Sequence, residues 1–556
     1  MGQRWSLYAL VALLAIAVLL YSVVEQIYDA NFYVLWESTA LLAGDRPYRD
    51  FYLTGWPLQT ALSTMMQALF GYRLIGEFLI HWSFILASLL IGFHLALRLS
   101  QSAAASLAVI LVALLAVASM EWFQYPKLFV YAVASLAGWR YVERPGVRPA
   151  AVAGLVTAVA FLLRHDHGLY VGAVFVLAFA LARVTVPSSR TAAAMMREMG
   201  VYAAVAGILV APWALLVHVT EGFPDFLRTR AEWGRVWAPP AGSPYDVLLD
   251  IDPRRLVGDI TASSWRPARE PSLLWLVQVT LLLPVLALCS VGLDLLAWFR
   301  RDRSMRPHTA GTVLVAATSI IAASRLVREE SYYVAVLPLS AALGARLLAG
   351  PRGAPAWRVA PRGLAIAGLL MTSLAAAGYL NADLFAPNEL DEVRIAYRQL
   401  ASSPPIDAFQ PAGEAQQVDW AAWEASGQDD RLKVMIRYLH DCTRDGDRLL
   451  VTGSTPYQVG YYTERPIAGG QLQWHHRWRS DPGHEEQSLA VIRRQSVPFA
   501  FSTNDPVFDD FGAYPRIHAY LKENYVEVDG SRGLLLVDKR RQSTGRFGRL
   551  GFPCFR

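Results

Sequence analysis

A few short polar stretches break an otherwise apolar chain, and their residue types could move a proton or hold an anion. Asp29 stands in Tyr28-Asp29-Ala30-Asn31-Phe32-Tyr33, just past the first apolar run. A carboxylate there can take or orient the proton of an acceptor hydroxyl during a displacement; capping a helix is the plainer alternative. Glu121 opens Glu121-Trp122-Phe123-Gln124-Tyr125-Pro126-Lys127. Lysine occurs only at Lys127, Lys433, Lys522 and Lys539, so Lys127 is alone in the apolar part of the chain. A compact ammonium suits a phosphate, whereas an ordinary lysine at a membrane surface would snorkel. Arg164-His165-Asp166-His167-Gly168 separates two apolar runs. Ionisable groups at such a place are costly unless they line a polar cavity. A wall facing substrate is a better use of this cluster than a metal site, because neighbours in a tight turn ligate poorly; a plain turn is the alternative. Arg325 and Arg328, with Glu329 and Glu330, either add to an anion site or pair among themselves.

The elements that must position these residues are long apolar runs. The chain has 556 residues, of which 54% are hydrophobic and only 17% charged. The apolar residues cluster between positions 7 and 380, in runs near the roughly 17–25 residues needed to cross a bilayer. About eleven spans follow from length and apolarity. They run near 6–24, 75–97, 103–119, 128–142, 149–163, 168–185, 199–219, 273–298, 309–323, 332–348 and 363–380. Residues 7–24 lack a cleavage site and read as a retained first span, not a signal peptide. Segment 58–70 is apolar but too short to cross, and is expected to lie at the interface or pack on the bundle. The fold class is therefore mostly α, a polytopic transmembrane bundle over 1–380 with a C-terminal extracytoplasmic α/β domain over 381–556.

Sidedness follows from arginine. One set of breaks holds Arg4, Arg98, Arg140, Arg144, Arg148, Arg183, Arg190, Arg197, Arg300, Arg301, Arg303, Arg306, Arg352, Arg358 and Arg362. By the positive-inside rule this set is cytoplasmic. The N-terminus is then inside, and Asp29, Glu121, Lys127, the Arg164 cluster, Arg325 and the C-terminal part all fall on the outer side of a plasma or inner membrane. The first outer loop, 25–74, is rich in Tyr, Trp, Arg and Pro, and loops that long without a fold of their own tend to be functional. Tyr48, Arg49 and Asp50 are its candidate substrate contacts, while Asp45 and Asp50 also read as turn residues flanking Arg46-Pro47-Tyr48-Arg49. The net charge of +5 is topological arginine and implies no nucleic acid.

Past position 430, helical patterns over 431–441, 488–495 and 514–524 alternate with short apolar strands over 447–453, 497–501 and 533–537, which implies a small α/β domain. Gly469-Gly470 and Trp474-His475-His476-Arg477-Trp478 belong to a loop expected to be exposed or partner-facing; adjacent histidines without a spaced third ligand are poor metal evidence. Cys289, Cys442 and Cys554 make no disulfide framework, though a Cys442–Cys554 bridge is left open.

No phosphate-cradling glycine loop, nucleophile signature or zinc signature occurs, so an activated substrate has to arrive from the membrane. With Asp29 after the first span, Gly44-x-x-Pro47-Tyr48-Arg49-Asp50-Phe51 and Pro57-Leu58 in the loop, and Tyr125-Pro126-Lys127 and Arg164-His165-Asp166-His167-Gly168 before later spans, the membrane half resembles the GT-C superfamily. Within it the resemblance is to bacterial members grouped with family 39 and the dolichyl-phosphate-mannose-protein mannosyltransferase-like proteins. It implies inverting transfer of a hexose or pentose from a polyprenyl-phosphate carrier to a glycan, lipid or protein acceptor at the outer face. It also implies Asp29 as base or metal contact, with Glu121 as the second acid. Lys127, Arg164, His165, Asp166 and Arg325 would then serve the donor phosphate. Many members carry two adjacent acids where this chain has Asp29-Ala30, which leaves a Mg or Mn ion at Asp29 and Glu121 open. A transporter or flippase with an external domain, or an envelope-assembly protein without activity, are the alternatives. The first should show internal repeats and interrupted helices near the midplane, and neither is clear in this sequence.

Overall fold

The computed structural model describes residues 2–21, 23, 32–53, 55–118, 125–185, 192–236, 282–292, 295, 305–325, 336–349, 366, 389–408, 414–453, 456–472, 474 and 479–556. It is mostly α-helical, with its sheets confined to the C-terminal part. The chain folds as two compact units: 1–30, 79–212 and 239–394 form one; 31–78, 213–238 and 395–556 form the other. The expected boundary at 380 falls outside the described residues. Much of the first loop groups with the C-terminal part rather than with the spans.

The helix order is α1 (Gly2–Tyr21), α2 (Phe32–Leu42), α3 (Pro57–Phe70), α4 (Leu74–Ser100), α5 (Ala103–Ala118), α6 (Tyr125–Glu143), α7 (Val147–Leu163), α8 (His165–Thr185), α9 (Ala192–Thr220), α10 (Phe223–Val236), α11 (Pro307–Arg325) and α12 (Leu337–Leu348). Among the described residues, α4, α8 and α9 are long and apolar enough to cross a membrane. Shorter apolar helices occupy Trp5–Tyr21, Ala103–Leu114, Val147–Leu163, Leu282–Gly292, Pro307–Ala323 and Leu337–Leu348, at places where the sequence predicts further spans. The expected span at 363–380 lies outside the described residues. Exposure shows the solvent these helices are built for. On α1, Val11, Ala15 and Leu19 are buried while Leu13, Ile16 and Leu20 face outward, so both faces are apolar. Along α9, Ile208, Leu215 and Val219 are also exposed. A helix apolar on its exposed side belongs in lipid, where its backbone groups are satisfied internally. The chain is a membrane protein.

Helix α7 ends at Arg164, whose backbone is extended (φ −164°, ψ 123°), and α8 starts at the next residue. The polar cluster is thus a one-residue break followed by the first turn of a helix. Gly168 permits it: a Cβ there would meet Phe161 Cβ at 2.4 Å.

The second unit gives much of the first outer loop a helical structure, with segment 58–70 as one helix. It contains α2 and α3, and α3 has its polarity reversed. Gln59, Thr60, Ser63 and Gln67 form its buried stripe at helical spacing, while Met65, Leu69 and Phe70 are exposed. Pro57 starts the helix, where a missing N–H costs nothing. An apolar outer face over a polar inner one fits a helix lying at a membrane surface.

In the C-terminal part, α13 (Glu389–Ala401), α14 (Trp420–Ala425) and α15 (Gln428–Asp441) precede β1 (Leu449–Thr452) and α16 (Pro456–Thr463). Then come α17 (Pro482–Arg494), β2 (Phe499–Ser502), α18 (Pro515–Asn524), β3 (Tyr525–Glu527), β4 (Leu535–Asp538), β5 (Gly545–Phe547) and β6 (Phe552–Cys554). The expected helices and strands match to within a few residues at most ends, and the part is α/β. The main sheet has the order β1-β2-β4-β3, with β1 and β2 parallel and the other pairs antiparallel. Both β1 and β2 are buried at every position, which is why they read as continuous apolar runs. Helix α17 starts on an Asp481 cap, whose carboxylate accepts from the Gly483 and His484 amides, followed by Pro482.

Two expectations change here. Trp474 is buried, packing against Phe511 (5.1 Å) and Tyr514 (5.3 Å), so it belongs to the core rather than to an exposed loop. His475 and His476 lie outside the described residues. Cys442 and Cys554, 112 residues apart, form a disulfide with Cα atoms at 4.4 Å.

Candidate functional site

Helices α6 and α8 carry most of the described site residues at one end of the first unit. Lys127 is in the first turn of α6 and only 3% exposed. Tyr131, four residues on and therefore on the same face, is fully buried, its hydroxyl 2.5 Å from His167 Nδ1. The two rings meet edge to face at 5.3 Å. The Arg164 guanidinium donates to Asp166 Oδ1 at 2.9 Å, and the same oxygen accepts from the His167 amide at 3.0 Å. Asp166 in the first turn of α8 also suits the positive end of the helix. His165 turns away, its Nδ1 3.0 Å from the Phe161 carbonyl and its ring against Phe161.

Arg325 is the last residue of α11. Near the start of α11, Gly311 lies against Trp139, late in α6, and Leu314 lies against Gly138. The two helices therefore run antiparallel, and this register carries the end of α11 to the level where α6 begins. Backbone placement thus gathers Lys127, Arg164, His165, Asp166, His167 and the Arg325 position at one end of α6, α8 and α11. Asp29 and Glu121, the expected base and second acid, lie outside the described residues, as do Arg328, Glu329 and Glu330. Among the described residues no three His, Cys, Asp or Glu side chains group as metal ligands. The residues expected to hold a divalent ion, Asp29 and Glu121, lie outside the described residues.

The first-loop candidates are organised within the second unit. Tyr48 is buried with φ +64°, a conformation uncommon outside glycine. Its amide donates to the Phe51 carbonyl at 2.8 Å, and its hydroxyl accepts from Trp213 Nε1 at 3.0 Å. Tyr52 donates its amide to the Gly470 carbonyl at 2.9 Å and lies under the Arg479 guanidinium at 4.8 Å. Arg479 in turn pairs with Glu221 at 3.4 Å. Gly470, at φ +75°, allows this approach: a Cβ would stand 2.8 Å from the Asp50 carbonyl. Tyr48 is thus committed to holding the loop's shape. Arg49 and Asp50, expected as substrate contacts, pair with each other, and Asp50 also accepts from the Arg46 amide. The hydrogen bond from Arg49 holds the Asp50 carboxyl below its ordinary range.

Asp45 is not the turn residue it resembles. Its two oxygens accept from Arg448 at 2.6 and 2.7 Å, a bidentate pair spanning 403 residues. Arg448 also donates to the Ile467 carbonyl at 3.0 Å. No local pattern announces this partner.

Glu37 is a second residue that sequence reasoning passed over. It is fully buried in α2 and accepts from Thr60 Oγ1 at 2.7 Å. Its signal was present: one acid inside Phe32-Tyr33-Val34-Leu35-Trp36-Glu37. Tyr131 carried no signal, because a tyrosine in an apolar run reads as core.

No protein-family model matches the chain, and no curated protein does. Among solved structures it is similar to ArnT from Cupriavidus metallidurans in the apo state, with 14% identity and a TM-score of 0.46, over 96% of this chain and 98% of that one. It is also similar to the Archaeoglobus fulgidus oligosaccharyltransferase in the apo form, with 11% identity and a TM-score of 0.37, over 90% of this chain and 69% of that one. The archaeal oligosaccharyltransferase AglB from the same organism, bound to an inhibitory peptide and a dolichol-phosphate, gives 12% identity, the same TM-score and the same coverage. With TM-scores under 0.5, these likenesses decide neither fold nor function. The residues must.

Proposed function

We propose that the protein is a GT-C-type membrane glycosyltransferase that moves a hexose or pentose, with inversion, from a polyprenyl-phosphate carrier to a glycan, lipid or protein acceptor at the outer membrane face. The observation that carries the reading is the gathering of Lys127, Tyr131, His167, Asp166 and Arg164 at one end of α6 and α8. A buried ammonium and a polar cluster at one end of helices packed among apolar spans suit the phosphate of a lipid-borne donor. In this reading the acceptor oxygen bonds to the sugar's anomeric carbon from the face opposite the phosphate, and Asp29 takes its proton. The bond from that carbon to the phosphate oxygen breaks, and the carrier phosphate leaves with the electron pair. Lys127 and Arg164, with Arg325 at the same end, stabilise the charge that grows on it. Asp166 orients Arg164, and Tyr131 orients His167. The N-terminus is cytoplasmic and the C-terminal part extracytoplasmic.

Mass spectrometry of lipid-linked sugars and envelope glycans in a deletion strain tests this. The expected result is accumulation of one polyprenyl-phosphate sugar and loss of one sugar from an envelope component, reversed by the wild-type chain but not by Lys127→Ala. Unchanged glycans together with altered solute uptake would favour a transporter instead.

A further inference from the structure

The C-terminal part of the second unit contains a cavity of about 150 Å³ that the transferase reading leaves unused. It opens beside the carboxyl end of β2, where Phe501 is followed by Thr503 and Asn504. Ligands in α/β sheets commonly bind outside the carboxyl ends of parallel strands, and β1 and β2 are the parallel pair of this sheet. The opposite wall is one face of α15: Gln428, Arg431 and Met435 recur at the i, i+3, i+7 spacing of a helix side. Trp423 from α14 closes it.

The lining is mostly apolar with a few converging polar groups, the composition of a small-molecule site. An apolar cavity of this size holds a single six-membered ring. Its one cation is Arg431, and no carboxylate is among the lining residues. The Arg431 Nε donates to the Ser426 carbonyl at 3.2 Å, which fixes the guanidinium plane, and Arg431 makes no ion pair among the described residues. This sets it apart from Arg437, Arg448, Arg540 and Arg541 of the same part, each of which pairs with an aspartate. Gln428 donates to the Thr503 carbonyl at 3.4 Å, joining the α15 wall to the β2 wall.

We propose that this cavity binds a carboxylate-bearing sugar ring, a uronate. The fork of Arg431 matches a carboxylate in two-point geometry. The Gln428 amide oxygen accepts from a ring hydroxyl. Asn504, whose amide donates to Asp505 and accepts from Thr503, completes the polar side of the wall, and Trp423, Phe501 and Met435 cover the apolar face of the ring. A neutral hexose would leave the guanidinium unmatched, and an aromatic acid would leave the Gln428 amide oxygen unmatched.

Calorimetric titration of the full-length protein in nanodiscs with glucuronate, glucose and benzoate tests the assignment. Saturable glucuronate binding is expected, with glucose and benzoate each at least about tenfold weaker. Arg431→Ala should weaken glucuronate binding roughly 10- to 100-fold, the range of a charge-assisted pair, and Gln428→Ala by several-fold. Neither side chain is part of the buried core, so thermal midpoints should stay near wild type, and either variant alone suffices should the other fail to fold. Equal binding of glucose and glucuronate, tighter binding of benzoate, absence of glucuronate binding, or binding indifferent to both substitutions would each overturn the proposal. None of these readouts depends on sugar transfer, so the fate of the transferase reading does not affect the result.

Discussion

The two ends of α6 both carry charge, and they differ in how far they expose their cations. At the Glu143 end, Arg98 pairs with Glu143 and its guanidinium lies 4.6 Å over the Trp139 ring. Nearby, His308 bridges the Leu99 carbonyl (3.0 Å) and Arg346 (2.7 Å). Arg98 and Glu143 are about a quarter exposed and satisfy each other. About 24 Å along the helix axis, by its rise per residue, Lys127 is 3% exposed and His167 2%. A cation drawn inward is expensive, and a strut would not need it. The difference teaches that charge at a span end is not itself a functional signal, and neither is burial alone, since Glu198, held by Tyr141 near the Glu143 end, is also only 5% exposed. The first end ties helices together, and the proposed function gives the second the donor phosphate.

The largest effect is expected at the acid that the proposed function assigns as base. Asp29→Asn keeps size and hydrogen bonding but removes the base, so transfer by purified protein should fall by roughly two to four orders of magnitude. Insertion and donor binding should be retained. Near-normal transfer would remove Asp29 from the chemistry and shift attention to Glu121 and Asp166.

The next test sets the two ends directly against each other. Lys127→Ala should lower turnover roughly 100-fold or more and weaken donor binding, with Lys127→Arg restoring only part, because a planar fork is not a point charge. Arg98→Ala should leave turnover within about threefold, while lowering the unfolding midpoint by the worth of one partly exposed pair and one cation–π contact, about 1–2 kcal/mol. If Arg98→Ala proved the more damaging to transfer, the contrast would be inverted.

How much of this was legible follows from the range of each interaction. The α/β part could be read nearly element by element, because α15, β1, α17, β2, α18 and β4 each announce themselves through local periodicity. The three-residue strands β3, β5 and β6 are too short to carry a period. Helices α2 and α3 escape a reading by pattern for different reasons: α2 is buried almost throughout, and α3 buries its polar stripe, so neither shows the usual amphipathic pattern. The Lys127 and Arg164 stretches stood out because ionisable residues are rare among spans, whereas Tyr131, the partner of His167, looks like any core aromatic. The Cys442–Cys554 and Asp45–Arg448 links join residues 112 and 403 positions apart, and no spacing in the sequence encodes them.

Asp45 and Asp50 repeat the contrast within a single turn of the second unit. Asp45 and Arg448 are 11% and 17% exposed, and breaking so enclosed a pair strands a cation. Asp45→Asn should therefore destabilise the protein by about 1–3 kcal/mol, read as a lower midpoint in thermal unfolding. The exchanged pair Asp45→Arg with Arg448→Asp should recover part of the loss. An unchanged midpoint in Asp45→Asn would return Asp45 to the role of a turn residue.

The smallest effect belongs to Asp50, whose partner Arg49 is half exposed. Solvent screens such a pair, so Asp50→Asn should shift the midpoint by no more than about a degree or two at neutral pH. The sign with pH is nevertheless fixed. Arg49's hydrogen bond lowers the folded-state pKa of Asp50, so its contribution is fully present above the unfolded-state value and is lost as pH falls through the folded one. Wild type and Asp50→Asn should therefore differ most near neutrality and converge in acid, below the ordinary carboxylate range. Asparagine can still accept from the Arg46 amide, so the turn itself should persist. A larger loss than in Asp45→Asn, or a gap that widens as pH falls, would show that exposure does not separate the two aspartates.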